Sequence, residues 1–264
     1  MSRLDDNTIG REPFLRAVQL HRQMIPHDPI YPFNLGVVRQ LSELHFHPVV
    51  TYIVGENGAG KSTLMEAIAV AWGFNAEGGT RNNAFSTQAT HSSLHNYLRL
   101  VRSTRQARDG FFFRAESYYN LATHIDELDM DELDAVPGPK IKDAYGGKSL
   151  HEQSHGESFF AAFVHRFRGN GLYILDEPEA ALSPLRQMAM LTRIHQLVLQ
   201  GSQFIISTHS PIIMAYPQSW IYKVDEQGLN RCSLEETDHY IVTKEFMNNR
   251  ERMLSELLDD DEGE

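Results

Sequence analysis

"YIVGENGAGKST", Tyr52 to Thr63, sets three β-favouring apolar residues against a glycine-rich turn that ends in a lysine and two hydroxyls. The spacing from Gly55 to Ser62 fits G-x-x-x-x-G-K-[ST], the phosphate loop called Walker A. Glycines let consecutive backbone N–H groups curl inward around an anion. The loop residues Gly55, Glu56, Asn57, Gly58, Ala59, Gly60, Lys61, Ser62 and Thr63 are therefore expected to line a nucleotide. Lys61 would neutralise its β- and γ-phosphates, and the Ser62 hydroxyl would ligate Mg²⁺. The flanks agree: "VVTYIV" (Val49 to Val54) reads as a buried strand, and "KSTLMEAIAVAWGF" as a helix whose N-terminal dipole faces the phosphates.

A second stretch, "GLYILDEPEAALSP" (Gly171 to Pro184), is an apolar strand ending in two carboxylates. The strand delivers Asp176 to the sheet edge where the phosphate loop opens, so Asp176 is expected to hold Mg²⁺ through water. Glu177, one residue on, is positioned to orient or deprotonate an attacking water. The missing guanine-reading Asn-Lys-x-Asp motif favours ATP over GTP.

Composition sets the outer limits. The 264 residues can bury a real core in one large domain, with or without an inserted subdomain. One cysteine, Cys232, excludes an intramolecular disulfide framework and a cysteine zinc cluster. The polar start "MSRLDDNTIG" and the lack of an apolar run near the ~18 residues of a membrane span lead us to expect a soluble, cytoplasmic protein without membrane insertion. The net charge of −11 is concentrated: Asp126 to Asp134 hold six acidic residues and the tail Asp259 to Glu264 holds five. The rest of the chain is formally neutral, so net charge decides nothing about a nucleic-acid partner.

Strands and helices alternate along the chain. "FLRAVQL" reads as an early strand, and "SSLHNYLRLVRS" and "GFFFRAESYY" as two strands joined by a polar turn. "ESFFAAFVHRFR" reads as a helix, followed by strand "GLYIL", helix "PLRQMAMLTRIHQLVLQ", strand "QFIIS", strands near "WIYKV" and "RCSL", and a last helix ending near Leu258. Such alternation around a phosphate loop implies an α/β fold with a largely parallel sheet covered on both faces. Arg102, Arg105 and Arg108 crowd the polar turn against Asp109 alone, a candidate phosphate-contacting tip on a hairpin.

The two carboxylates, with "SHGES" upstream and "FIISTHSP" downstream, resemble the ATP-binding-cassette (ABC) ATPase superfamily. Ser154 lies 22 residues before Asp176 and His209 lies 33 after it, in the family's order. The resemblance implies a P-loop NTPase fold with an antiparallel β subdomain and a small helical subdomain, here about residues 117–168 of a single domain over 1–258, followed by the acidic tail 259–264. It implies that Ser154, His155, Gly156 and Glu157 form a signature motif that contacts the γ-phosphate of ATP held by the other subunit. Gln153 and His155 depart from the family's Leu and first Gly, and Ser183 stands where transporter cassettes usually carry an Asp. His209 matches the switch histidine that hydrogen-bonds the γ-phosphate. Glu116, with Gln88 as rival, stands in the place of a Gln that contacts Mg²⁺. Tyr31 or Phe33 would stack on adenine.

The resemblance thus implies a Mg²⁺-dependent ATPase that forms a nucleotide-sandwiched homodimer. The wording "DEPEAALSP" is similar to small soluble bacterial predicted ATPases related to recombination and phage-defence cassettes, and too few residues separate Glu116 from Ser154 for a long coiled coil. Two functions stay open: a soluble ATPase that drives an effector or nuclease partner or acts on nucleic acid, and the ATP-hydrolysing subunit of a membrane transporter. A kinase or AAA+ ring ATPase would leave "SHGES" unexplained.

Overall fold

The structure is a computed structural model that describes residues 10–25, 30–80, 92–117, 160–161, 163–225 and 228–258. Its main sheet has six strands in the order β5-β6-β7-β3-β8-β9, namely β5 (Asp109–Arg114), β6 (Gly171–Asp176), β7 (Gln203–Ser207), β3 (Val50–Val54), β8 (Trp220–Asp225) and β9 (Gly228–Cys232). All neighbours are parallel except β8 and β9, which form an antiparallel pair. A smaller antiparallel sheet, β2-β1-β4, is built from β1 (Leu15–Leu20), β2 (Glu43–His45) and β4 (Leu98–Arg102). The α/β fold with a mostly parallel sheet and an antiparallel companion is the one expected from the sequence.

Strands β3, β6 and β7 are buried at every position, which is why they read as continuous apolar runs and not as alternating patterns. Alternate residues feed two cores. On one face Tyr52, Phe111, Tyr173 and Phe204 pack with Ile194 and Leu197 of helix α2 (Pro184–Leu199). On the other, Ile53, Phe112, Ile174 and Ile205 pack with Leu64 and Ile68 of helix α1 (Lys61–Trp72) and with Leu15 and Val18 of the small sheet. Gln203 joins the two sheets. Its buried amide accepts from the Leu15 N–H at 3.0 Å and donates to the carbonyls of Leu15 and His47 at 2.9 and 3.1 Å. Further helices include a short α3 (Pro211–Met214), then α4 (Asp238–Asn248) and α5 (Arg250–Leu258), where one terminal helix was expected.

Two expectations are corrected. Ser93–Tyr97 is a 3₁₀ turn, not strand, because Ser92 caps it by accepting from the Leu94 N–H at 3.2 Å. The supposed hairpin does not exist either: β4 pairs with β1 and β5 pairs with β6, in different sheets. Phe111 and Phe112 point to opposite cores, a demand that only a strand covered on both faces meets. The connecting turn is tied down, not presented. Arg105 donates to the carbonyls of Glu12 (2.6 Å) and Gly201 (3.1 Å) and lies 4.3 Å over the Phe14 ring. Arg102 lies 4.3 Å over Trp72, and Asp109 is bound by Arg166 at 2.9 Å and by the Tyr173 hydroxyl at 2.8 Å. Most of the expected helical subdomain, the signature residues 154–157, Gln88 and the acidic tail lie outside the described residues.

His47 gives the fold a measurable acid sensitivity. It is buried against Trp220, and its Nδ1 accepts the Val49 N–H at 3.3 Å. Burial first, and Arg231 second, lower its pKa from 6.5 to about 4. The unfolded chain therefore takes up this proton first as pH falls, so stability is lost between pH 6.5 and 4, at about 1.4 kcal/mol per pH unit. Between pH 7 and 5 the parent should lose about 2 kcal/mol more in urea unfolding than His47→Asn, whose amide oxygen can still accept the Val49 N–H. Other titrating groups are common to both proteins and cancel. Equal losses would place the acid sensitivity elsewhere.

Candidate active site

The loop after β3 is shaped by glycines that nothing else can replace. Gly60 has φ 89°, and a Cβ there would meet Val37 Cγ1 at 2.8 Å; at Gly55 a Cβ would meet the Val224 carbonyl oxygen at 2.8 Å. Side chains are thus excluded by sterics as well as by the left-handed backbone. Lys61 opens α1 and folds back into the loop. Its Nζ donates to the carbonyls of Gly55 and Glu56, both at 2.9 Å, and the residue is only 4% exposed. Burial lowers its pKa, opposed by Glu177, Asp176 and Glu179, which places all three carboxylates in electrostatic reach of the ammonium.

Asp176 is the last residue of β6 and is buried. Its Oδ1 accepts from the Ser62 hydroxyl at 3.3 Å and from the Ser207 hydroxyl, at the end of β7. Burial nonetheless pushes its pKa up to about 6, against the pull of Ser207, Ser62 and Arg114. A buried carboxylate so weakly compensated, beside a hydroxyl, fits Mg²⁺, which takes one or two protein oxygens and the rest from phosphates and water. Among the described residues no group of three or more His, Cys, Asp or Glu could hold a metal on its own. Arg114 is opposite Asp176 in the β5–β6 register, with its guanidinium on Glu66 at 2.5 Å and on Glu116 at 3.1 Å.

Glu177 follows with φ 51°, a left-handed conformation uncommon for a residue with a side chain. The turn aims its carboxylate at His209, whose Nε2 lies 3.3 Å from Glu177 Oε1. The His209 backbone N–H donates to Glu179 Oε1 at 2.5 Å. Glu179 Oε2 is buried without a hydrogen-bond partner among the described residues. His209 Nδ1 lies 2.7 Å from Nε2 of His239, in the first turn of α4.

Lys61, Ser62, Asp176, Glu177 and His209 thus stand together at the C-terminal edge of β3, β6 and β7, where parallel sheets bind ligands. Two family models match the chain along this same frame: an AAA domain over residues 33–122 and an AAA domain, putative AbiEii toxin, type IV TA system, over residues 141–215. Both models are of AAA type, and each covers less than half of the chain. Solved structures similar to this chain include cbiO1 from Clostridium perfringens, part of the ABC transporter complex cbiONQ, at 16% identity, 94% of this chain, 100% of that chain and TM-score 0.47. The dimeric bacterial ABC transporter cassette MJ0796 follows at 15% identity, 75% and 90% coverage and TM-score 0.47. A putative metal-chelate type ABC transporter, inward-facing, has 13% identity, 87% and 88% coverage and TM-score 0.44. No curated protein matches the chain.

The two candidate adenine aromatics differ in kind. Phe33 is buried and packs edge-on against Tyr97 at 4.8 Å, whereas Tyr31 is 59% exposed with its hydroxyl 3.3 Å from Thr63 Oγ1 in the phosphate loop. Glu116 is exposed, and its carboxylate pairs with Arg114 at 3.1 Å. Ser183 caps α2, accepting from the Arg186 N–H at 3.4 Å. Sequence reasoning missed Ser207, Glu179, Arg114 and His239. Ser207 and Glu179 flank recognised motifs and a search of strand ends could have found them; His239 carries no local signal.

Proposed function

We propose that this ATPase binds MgATP across Gly55–Thr63, hydrolyses it at Glu177, and works as a soluble, cytoplasmic homodimer that drives a partner protein. The observation that carries the reading is the Ser62–Asp176 contact, which joins two motifs 114 residues apart at the edge that also holds Glu177 and His209. Lys61 exchanges a loop carbonyl for phosphate oxygens, since an ammonium has three donors and no fixed plane. Ser62 and Asp176 would hold Mg²⁺, which would neutralise charge on the β- and γ-phosphates. Glu177 takes the proton of the attacking water, and the His209 Nε2–H contacts the γ-phosphate. Ser154, His155, Gly156 and Glu157 complete the site from the other protomer.

A protein partner is favoured over nucleic acid because Arg102 and Arg105 are committed to internal contacts. The second family model's description as a putative toxin of a type IV TA system supports an effector role over transport. Among the described residues no helix is long and apolar enough to cross a membrane. Residues 1–258 are read as one ATPase unit with a helical insert near 117–168. MgATP turnover by the purified chain, with its mass measured with and without ATP, tests this reading; a monomer that hydrolyses nothing at saturating MgATP contradicts it.

For the adenine we assign Tyr31. Tyr31→Ala should weaken ATP binding by about tenfold, the worth of roughly one aromatic stack, with little change in Tm. Phe33→Ala should instead cost about 3–5 kcal/mol of stability, because a buried ring leaves a cavity. Titration calorimetry and thermal melts separate the two, and unchanged affinity in Tyr31→Ala would remove the assignment.

A further inference from the structure

His239 belongs to no recognised motif, yet the fold takes care to place it. Thr237, fully buried, caps α4 by accepting from the Tyr240 N–H, and Asp238 pairs with Lys223 of β8 at 2.7 Å. The rest of α4 lacks any buried residue, so its first turn is what anchors it. That turn brings the His239 ring to 4.8 Å from the His209 ring, at 63°, with Nε2 2.7 Å from His209 Nδ1.

The tautomers follow from donor counting. A carboxylate only accepts, so His209 Nε2, 3.3 Å from Glu177 Oε1, carries a hydrogen. In the Nε2–H tautomer His209 offers a lone pair at Nδ1, and the His239 Nε2–H is then the donor across the 2.7 Å contact. Burial, His209 and Lys61 all lower the His239 pKa, against Asp238 and Glu56, which favours the neutral ring. We infer that His239 is a positioning residue for ATP hydrolysis, which locks His209 in the Nε2–H tautomer by donating to its Nδ1. The inference rests on the ATPase reading above. Without His239, His209 can move its hydrogen to Nδ1 and turn a lone pair towards Glu177 and the γ-phosphate. A wrong tautomer beside a reacting group costs turnover, not binding.

His239→Leu removes the donor, and His239→Gln restores one through the amide N–H. The Leu variant should lose about tenfold or more in kcat while its KM for MgATP stays within about threefold; the Gln variant should recover to within about threefold of the parent. Imidazole ¹⁵N shifts, with His209 assigned through His209→Gln, should report the Nε2–H tautomer in the parent and a mixture in His239→Leu. Parental kcat in the Leu variant, a loss carried by KM, or a Gln variant as slow as Leu each overturns the inference. A parent that hydrolyses no MgATP overturns the ATPase reading itself. Unchanged His209 shifts in His239→Leu overturn the inference alone, with or without hydrolysis.

Discussion

Lys61→Ala should bind MgATP about 10- to 150-fold more weakly than the parent, because it deletes a charge-assisted contact worth about 1.5–3 kcal/mol. Stability should change far less. The buried ammonium satisfies the carbonyls of Gly55 and Glu56, so its removal costs two hydrogen bonds. Its removal also relieves the desolvation that lowers its pKa, and these terms oppose each other. Calorimetric titration of a variant with near-parental Tm checks the point; parental affinity would mean the phosphates bind elsewhere.

Glu177→Gln should keep nucleotide and lose turnover. The amide cannot take a proton, so hydrolysis falls about 10²- to 10⁴-fold, while His209 Nε2–H retains an oxygen to donate to. One negative charge also leaves an edge that holds Asp176 and Glu179, so repulsion of the γ-phosphate weakens and ATP affinity holds or rises. Nucleotide then persists in the site, and the sandwiched homodimer should accumulate with MgATP. Light scattering reads this directly: a Glu177→Gln protein that stays monomeric at saturating MgATP contradicts the trans arrangement of Ser154 and Gly156.

The parts legible in the sequence are those whose cause is local. Val50–Val54 running into Gly55 and Lys61 needs only strand, turn and helix propensities in succession, and Gly171–Asp176 needs only an apolar run with a carboxylate at its end. The strands around Phe111 and Leu100 were visible as strands, but their partners were not. Short polar turns read as hairpins unless long-range pairing overrides them, as it does where β4 joins β1 and β5 joins β6. Phe33 and Tyr31 are alike in sequence and separate only by burial. His239 was illegible for a further reason: it lies 30 residues on from His209, beyond α3, β8 and β9, before α4 returns it to that ring. Arg114 carries no local signal, because only the β5–β6 register sets it against Asp176.

Rapid-quench measurement of phosphate released from bound MgATP by parent and Glu177→Gln reads directly whether the edge formed by Gly55–Thr63, Asp176 and Glu177 hydrolyses ATP. The parent should release phosphate and, at equal nucleotide occupancy, the variant should release it at least about 100-fold more slowly. A parent that releases no phosphate, or a variant that matches it, would contradict the account.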